Sequence, residues 1–177
     1  MRSFEELSVT AFMESRPKIK IGQTTTDRFV EIAGWAALAF MWIITLYYFR
    51  KLPETIPTHF NMKGTADGFG QKSTIFLLPA IGTVLFIGMT ILNRFPHIFN
   101  YPVRINSENA IRQYTLATRL LRIFKVSIVL IFLMITWMTS AAANNQGKNS
   151  FAWFLPVMLA ITFVPLGIYI FKSFRAK

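Results

Sequence analysis

The sequence predicts an all-α integral membrane protein: four transmembrane helices, a polar loop between the first and second, and an amphipathic helix leading into the third. Three observations point there. The 177 residues are 53% hydrophobic and 15% aromatic, with only 15% charged, too apolar for an ordinary water-soluble domain. Four uncharged stretches, near residues 32–49, 74–93, 126–139 and 151–171, stand far apart between polar segments, and with their flanks they reach the length a helix needs to cross a bilayer. The 18 phenylalanines would in water demand a larger core than this chain can close, a demand that lipid removes.

The net charge of +11 raises nucleic acid as a partner. Its basic residues, however, cluster beside apolar runs and form no continuous stripe, the pattern of contact with anionic headgroups; nucleic acid is not expected. Cysteine is absent, which excludes disulfides, thiolate catalysis and cysteine-ligated metal.

Residues 1–28 are polar, carry both signs of charge and lack the basic start and apolar run of a signal peptide, so no cleavage is expected. Ser3 with Glu6 matches a capping box, and Phe4, Leu7, Ala11 and Phe12 fall at helical spacing, so this cytoplasmic segment is either a short amphipathic helix stopped by Pro17 or a disordered tail. Span one follows, from Phe29 to Phe49, with Trp35 towards one interface, Tyr47 and Tyr48 at the other, and Arg50 and Lys51 closing it. Glu31 at its mouth is expected to favour the helix dipole and pair with Arg28.

Span two, Thr74–Asn93, offers Ser73 as its N-cap, Pro79 as a kink or a start, and Gly82 and Gly88 as places of close helix approach. The connection from Arg94 to Lys125 is proline-interrupted and aromatic up to Arg104. Beyond it, Ala110, Tyr114, Ala117, Leu121 and Phe124 recur at helical spacing, Asn106 or Ser107 can cap, and the helix runs on into span three, Val126 to about Thr139. Arg112, Arg119, Arg122 and Lys125 are expected to line a basic face at headgroup level. Span four, Phe151–Phe171, contains Pro156 and Pro165, which predict a bend. Fourteen of the nineteen Lys and Arg residues fall on the side of the two termini and the second connection, which places both termini in the cytoplasm and the first loop outside. No internal repeat is apparent, so the duplicated halves of many transporters are missing.

The first loop, Leu52–Ser73, is longer and more particular than joining two helices requires. It holds His59, Asn61, Asp67 and Lys72 among glycines and prolines suited to turns. His59 and Asp67 are candidate metal ligands, but with two histidines in the chain a closed structural zinc site is short of donors, and no cofactor is strongly implied. The same pair meets the minimum for acid–base catalysis with Lys72 as a clamp, yet no nucleophile motif or phosphate loop accompanies it. The structural alternative is a compact cap: Asn61–Gly64 and Asp67–Gly68 as turns, His59 bonded to backbone, and Phe60 and Phe69 on the bilayer edge.

The string Leu52, Pro53, Ile56, Pro57, His59, Phe60, Asn61, Gly64, Asp67, Gly68, Lys72 resembles the membrane domain shared by the SdpI family of bacterial immunity proteins. Asn106, Glu108, Asn109, Arg112 and Gln113 resemble a second, helix-opening pattern of that domain. The resemblance covers about residues 30–140. It implies a three-span family domain over 29–140, with 141–177 as a fourth span and basic tail, in the bacterial cytoplasmic membrane. It also implies a non-enzymatic immunity or envelope-stress role, with a toxin peptide or a regulatory protein as partner beside the lipid bilayer. A homo-oligomer is left open, as is the alternative of a small transporter or metal-dependent membrane enzyme using His59 and Asp67. If the two motifs face opposite sides of the membrane, they cannot form one site unless a segment re-enters.

Overall fold

The computed structural model describes residues 16–144 and 150–176. Helix α1 (Thr25–Phe49) leads into an antiparallel hairpin of β1 (Thr55–Phe60) and β2 (Ala66–Gln71). A 3-10 turn over Lys72–Phe76 enters α2 (Leu77–Leu92), a second over Pro96–Ile98 follows it, and α3 (Ala110–Asn144) and α4 (Phe154–Arg175) complete the order. All four helices are long and apolar enough to cross a membrane once the first 3-10 turn is counted with α2, so the chain is a multispanning membrane protein. The amphipathic helix expected between Ser3 and Phe12 lies outside the described residues.

Local chemistry sets the boundaries. Thr24 caps α1 through its side chain while Asp27 reaches back to the Thr24 backbone, a reciprocal box that satisfies two otherwise orphaned donors. Ser73 does not cap α2: the 3-10 turn carries the chain into the helix with no side-chain cap, and Pro79 falls in the first turn of α2, where a missing N–H costs nothing. Asn106 accepts from the Asn109 amide at 2.8 Å and Asn109 accepts from the Asn106 amide at 3.0 Å, so the start of α3 is capped as expected. Its far end differs: α3 continues to Asn144, five residues past the expected stop, because Ser140, Ala141, Ala142 and Ala143 are compatible with helix.

The 35-residue α3 is the central column, packed against α1, α2, α4 and β1. In mid-bundle Leu38, Met41, Phe86 and Val129 form the buried cluster. Gly34 lets the Phe86 ring within 3.0 Å of where a Cβ would stand, and Gly82 does the same for Met41 and Phe132, the close approach small residues permit in membrane helices. Gly88 meets nothing within 4 Å and plays no such part. Trp42 donates to Thr83 at 3.0 Å, joining α1 to α2.

Helix α4 is peripheral: 6% of its apolar window is buried, against 22–28% for the others. It is fastened at its end by Gln113, which is fully buried and donates to the carbonyls of Ser173 (2.9 Å) and Ala176 (3.0 Å) while accepting from the Ser173 hydroxyl at 2.6 Å. Both carbonyls lie at the helix terminus; that of Ser173 also accepts from the Ala176 N–H at 3.2 Å, and Gln113 supplies a donor to that of Ala176, beyond the last intrahelical bond. Gln113→Ala takes their partner from the Ala176 carbonyl and the Ser173 hydroxyl and weakens the bonding of the Ser173 carbonyl; it is expected to cost about 2–3 kcal/mol, read as a lowered midpoint of thermal unfolding in detergent micelles.

Candidate functional site

The loop between the first two spans is a folded hairpin, where sequence reasoning expected loop and turns. Its register pairs Thr55 with Gln71, His59 with Gly68 and Phe60 with Ala66, with irregularities on both sides of His59. Asp67–Gly68 is therefore strand and not a turn. Such bulges re-aim side chains, and here they bring together His59 and Asp67, whose side chains hydrogen-bond through Nδ1 and Oδ1. His59 thus bonds a carboxylate and not backbone. Gly68 is required opposite it, since a Cβ there would stand 2.9 Å from that of His59. The pair is open to solvent, with side-chain exposures of 71% and 43%.

The other candidates in the loop have structural employment. Asn61 closes the tip: its side-chain oxygen accepts from the amides of Lys63 (2.9 Å) and Thr65 (3.2 Å), an Asx-type turn. Lys72 sits at the base, 2.8 Å from the Glu54 carboxylate and 5.2 Å from the centre of the Phe49 ring. Gly64 adopts φ +71°, and a Cβ on it would meet the Phe151 backbone at 2.3 Å. The tip is tied down there, by Phe151 N–H to the Gly64 carbonyl at 3.1 Å and the Ser150 hydroxyl to the Lys63 carbonyl at 2.7 Å.

Between this anchored hairpin, α3 and α4 lies a cavity of about 330 Å³. Its wall is apolar, made by Ile135 and Met138 of α3, Phe151, and Phe154 and Leu155 of α4, with Thr58, His59 and Asn61 on the hairpin side. Phe60 packs against Phe151, ring centres 6.0 Å apart, whereas Phe69 remains exposed. A greasy recess with one polar lip suits an amphipathic molecule. Among the described residues no group of three His, Cys, Asp or Glu lies together as a metal site; His59 and Asp67 could supply two donors.

The second motif stands at the opposite end of the bundle. Asn106 and Asn109 form the α3 cap, with Asn109 also donating to the Arg104 carbonyl at 3.0 Å; Gln113 holds α4; Glu108 and Arg112 are exposed. At 1.5 Å per residue, α3 separates its two ends by roughly 50 Å, so Glu108 and His59 share no site, and among the described residues no segment re-enters to join them. Around this cap Ile105, Ala110 and Tyr114 pack with Ile19, Ile21 and Tyr101, while Arg16 donates to the carbonyls of His97 (3.2 Å) and Phe99 (2.7 Å). Burial, with Tyr169 and Tyr114 nearby, holds the Tyr101 phenol well above its ordinary pKa.

Sequence reasoning missed a network between α1 and α3. Arg122 and Lys125 do not line a solvated basic face: both are buried, and Lys125 is 1% exposed. Lys125 donates to Glu31 and to the Thr90 hydroxyl, the latter at 2.8 Å, with its ammonium 4.5 Å from the centre of the Phe86 ring. Glu31 thus pairs across helices, and the expected Arg28 pair is replaced. Asp27 accepts from Arg119 Nε at 3.0 Å, and Arg122 stands 3.9 Å from Asp27 and 3.6 Å from Glu31. The signal was present in the sequence: acids four apart on span one and bases three apart on the approach to span three each define one helix face.

Two outcomes test these placements. Gly64→Ala is expected to release the hairpin tip from Phe151, seen as protease cleavage near residue 64 at concentrations that leave the parent chain intact. Lys125→Ala strands Glu31 and is expected to lose about 3–5 kcal/mol of stability, whereas Glu31→Gln combined with Lys125→Met recovers most of that loss in the same detergent melt.

Comparison with known proteins singles out the hairpin. A family model described as a domain of unknown function (DUF1648) matches residues 36–83, taking in part of α1, the whole hairpin and the start of α2, and stopping short of Asn106. The chain is also 34% identical over 85 residues to an uncharacterized protein of Archaeoglobus fulgidus, a match covering 44% of this chain and 46% of that protein, so it spans under half the length of that relative. No solved structure matches. The chain is a multispanning membrane protein whose hairpin and flanking helices are similar to DUF1648.

Proposed function

We propose that this chain is an SdpI-like protein of the bacterial cytoplasmic membrane, with a non-enzymatic immunity or envelope-stress role. In it the outward-facing hairpin and the heads of α3 and α4 bind an amphipathic ligand such as a membrane-active toxin peptide. The observation that carries this reading is the apolar cavity of about 330 Å³ with His59 on its rim. An apolar face of the ligand fills the space against Met138 and Leu155, and its polar edge meets the solvent-open His59–Asp67 pair. The resemblance of Leu52–Lys72 to the SdpI pattern supplies the class of ligand, and the excess of basic residues on the side of the termini supplies the orientation. The metal-dependent alternative has two donors at the pair and is the weaker reading.

Trp137 and Trp153, with ring centres 6.3 Å apart and Trp137 5.6 Å from Phe151, stand beside the cavity and report its occupancy. Titrating the purified chain with an amphipathic cationic peptide is expected to change tryptophan fluorescence saturably. His59→Ala or Asp67→Asn should weaken binding about tenfold, or ~1.4 kcal/mol, and Leu155→Phe, which fills the recess, should abolish it. Equal affinity in all four proteins, together with unaltered toxin sensitivity of cells lacking the chain, would dismiss the reading.

A further inference from the structure

The end of the bundle away from the hairpin carries a second site. A cavity of about 210 Å³ opens between α1 and α3, lined by Thr26, Asp27, Val30, Arg119, Arg122 and Ile123, space for several water-sized groups. Its chemistry is unbalanced. Five charged side chains meet here, Asp27 and Glu31 against Arg119, Arg122 and Lys125, leaving one positive charge in excess.

The surplus is shared by Arg119 and Arg122, which with Asp27 line the cavity. Lys125 is consumed by Glu31 and Thr90. Asp27 is consumed as well: one carboxylate oxygen accepts from the Thr24 amide and hydroxyl, the other from Arg119 Nε. The Arg122 guanidinium, with 6% of its side chain exposed, approaches Asp27 and Glu31 no nearer than 3.9 and 3.6 Å, beyond hydrogen-bond length. Its Nε and the facing Glu31 oxygen both lack a hydrogen-bond partner. A buried guanidinium whose Nε makes no hydrogen bond is costly. A planar fork of N–H groups beside a cavity matches a tetrahedral oxyanion. Arg119 shares the wall, its Nη2 reaching only Thr24 Oγ1 at 3.5 Å, and Thr26 lines the same cavity.

Depth selects the kind of oxyanion. The uncharged run of α1 begins directly after Glu31 and that of α3 directly after Lys125. Asp27, Arg119 and Arg122 therefore lie one to two helical turns outside that edge, roughly 5–10 Å at 1.5 Å per residue, which is the headgroup layer.

The geometry points to a phosphate-binding site on Arg122 and Arg119, occupied by the phosphodiester of an anionic lipid headgroup or by free phosphate. It is independent of the hairpin reading. The chain in detergent is examined by native mass spectrometry and thermal unfolding with dioleoylphosphatidylglycerol, dioleoylphosphatidylcholine or inorganic phosphate. Expected is retention of phosphatidylglycerol at fivefold or greater excess over phosphatidylcholine, reduced to the phosphatidylcholine level in Arg119→Gln and Arg122→Gln and preserved in Arg50→Gln at the other end. Stabilisation by inorganic phosphate that Arg119→Gln removes assigns the site to the free ion. Arg119 is half exposed, so that variant stays interpretable if Arg122→Gln does not fold. Retention unchanged in Arg119→Gln, or no response to either phosphate source, overturns the site.

Discussion

An ammonium that water cannot reach must be matched, and the match of Lys125 with Glu31 sets how α1 lies on α3. Isolated charge in a membrane bundle is expensive, so of the many ways two apolar helices can rotate and slide, only those that bring residue 125 to residue 31 are tolerable. Dispersion between lipid-like side chains discriminates weakly among such arrangements. The ion pair discriminates strongly. Phe86 and Thr90 complete the ammonium's surroundings, so α2 is located by the same contact, and the close approaches at Gly34 and Gly82 follow from where that contact places the three helices.

Such a pair is better read as a device for specificity than as a large source of stability, since taking both charges out of water cancels much of what their attraction returns. The same logic distinguishes Arg122. Its neighbours carry the right charge at the wrong distance, so its Nε contributes attraction without a hydrogen bond. The two ends of the protein are thus chemically unlike: one presents a tied-down hairpin over an apolar recess, the other a charged cavity lined by Asp27, Arg119 and Arg122.

Most of the architecture was legible because spans announce themselves through length and absence of charge. The four helices, the Asn106 cap and the separation of the two motifs follow from residue order alone. The hairpin was hidden because its strands are short and carry Pro57, Gly68 and Gly70, residues that read as loop until bulges make room for them. The meeting of His59 with Asp67 depends on that register and on nothing visible in spacing. Arg122 and Lys125 looked solvated because, taken alone, a basic helical stripe usually is; their burial depends on Asp27 and Glu31 nearly a hundred residues away. The roles of Asn61 and Lys72 became separable only once the tip and base of the hairpin were distinguished.

Helix α4 is held at its entry by the Phe151–Gly64 bond and at its exit by Gln113, with little burial in between. A strut bolted at both ends tolerates changes of material along its shaft and no change of length. Deleting one turn would draw one fastening about 5.4 Å out of place, whereas exchanging one lipid-facing apolar residue for another leaves both intact. For the middle of this helix, then, the fold prescribes a distance to be spanned more than an identity at each position, and the thickness of the surrounding bilayer is the other party to that prescription.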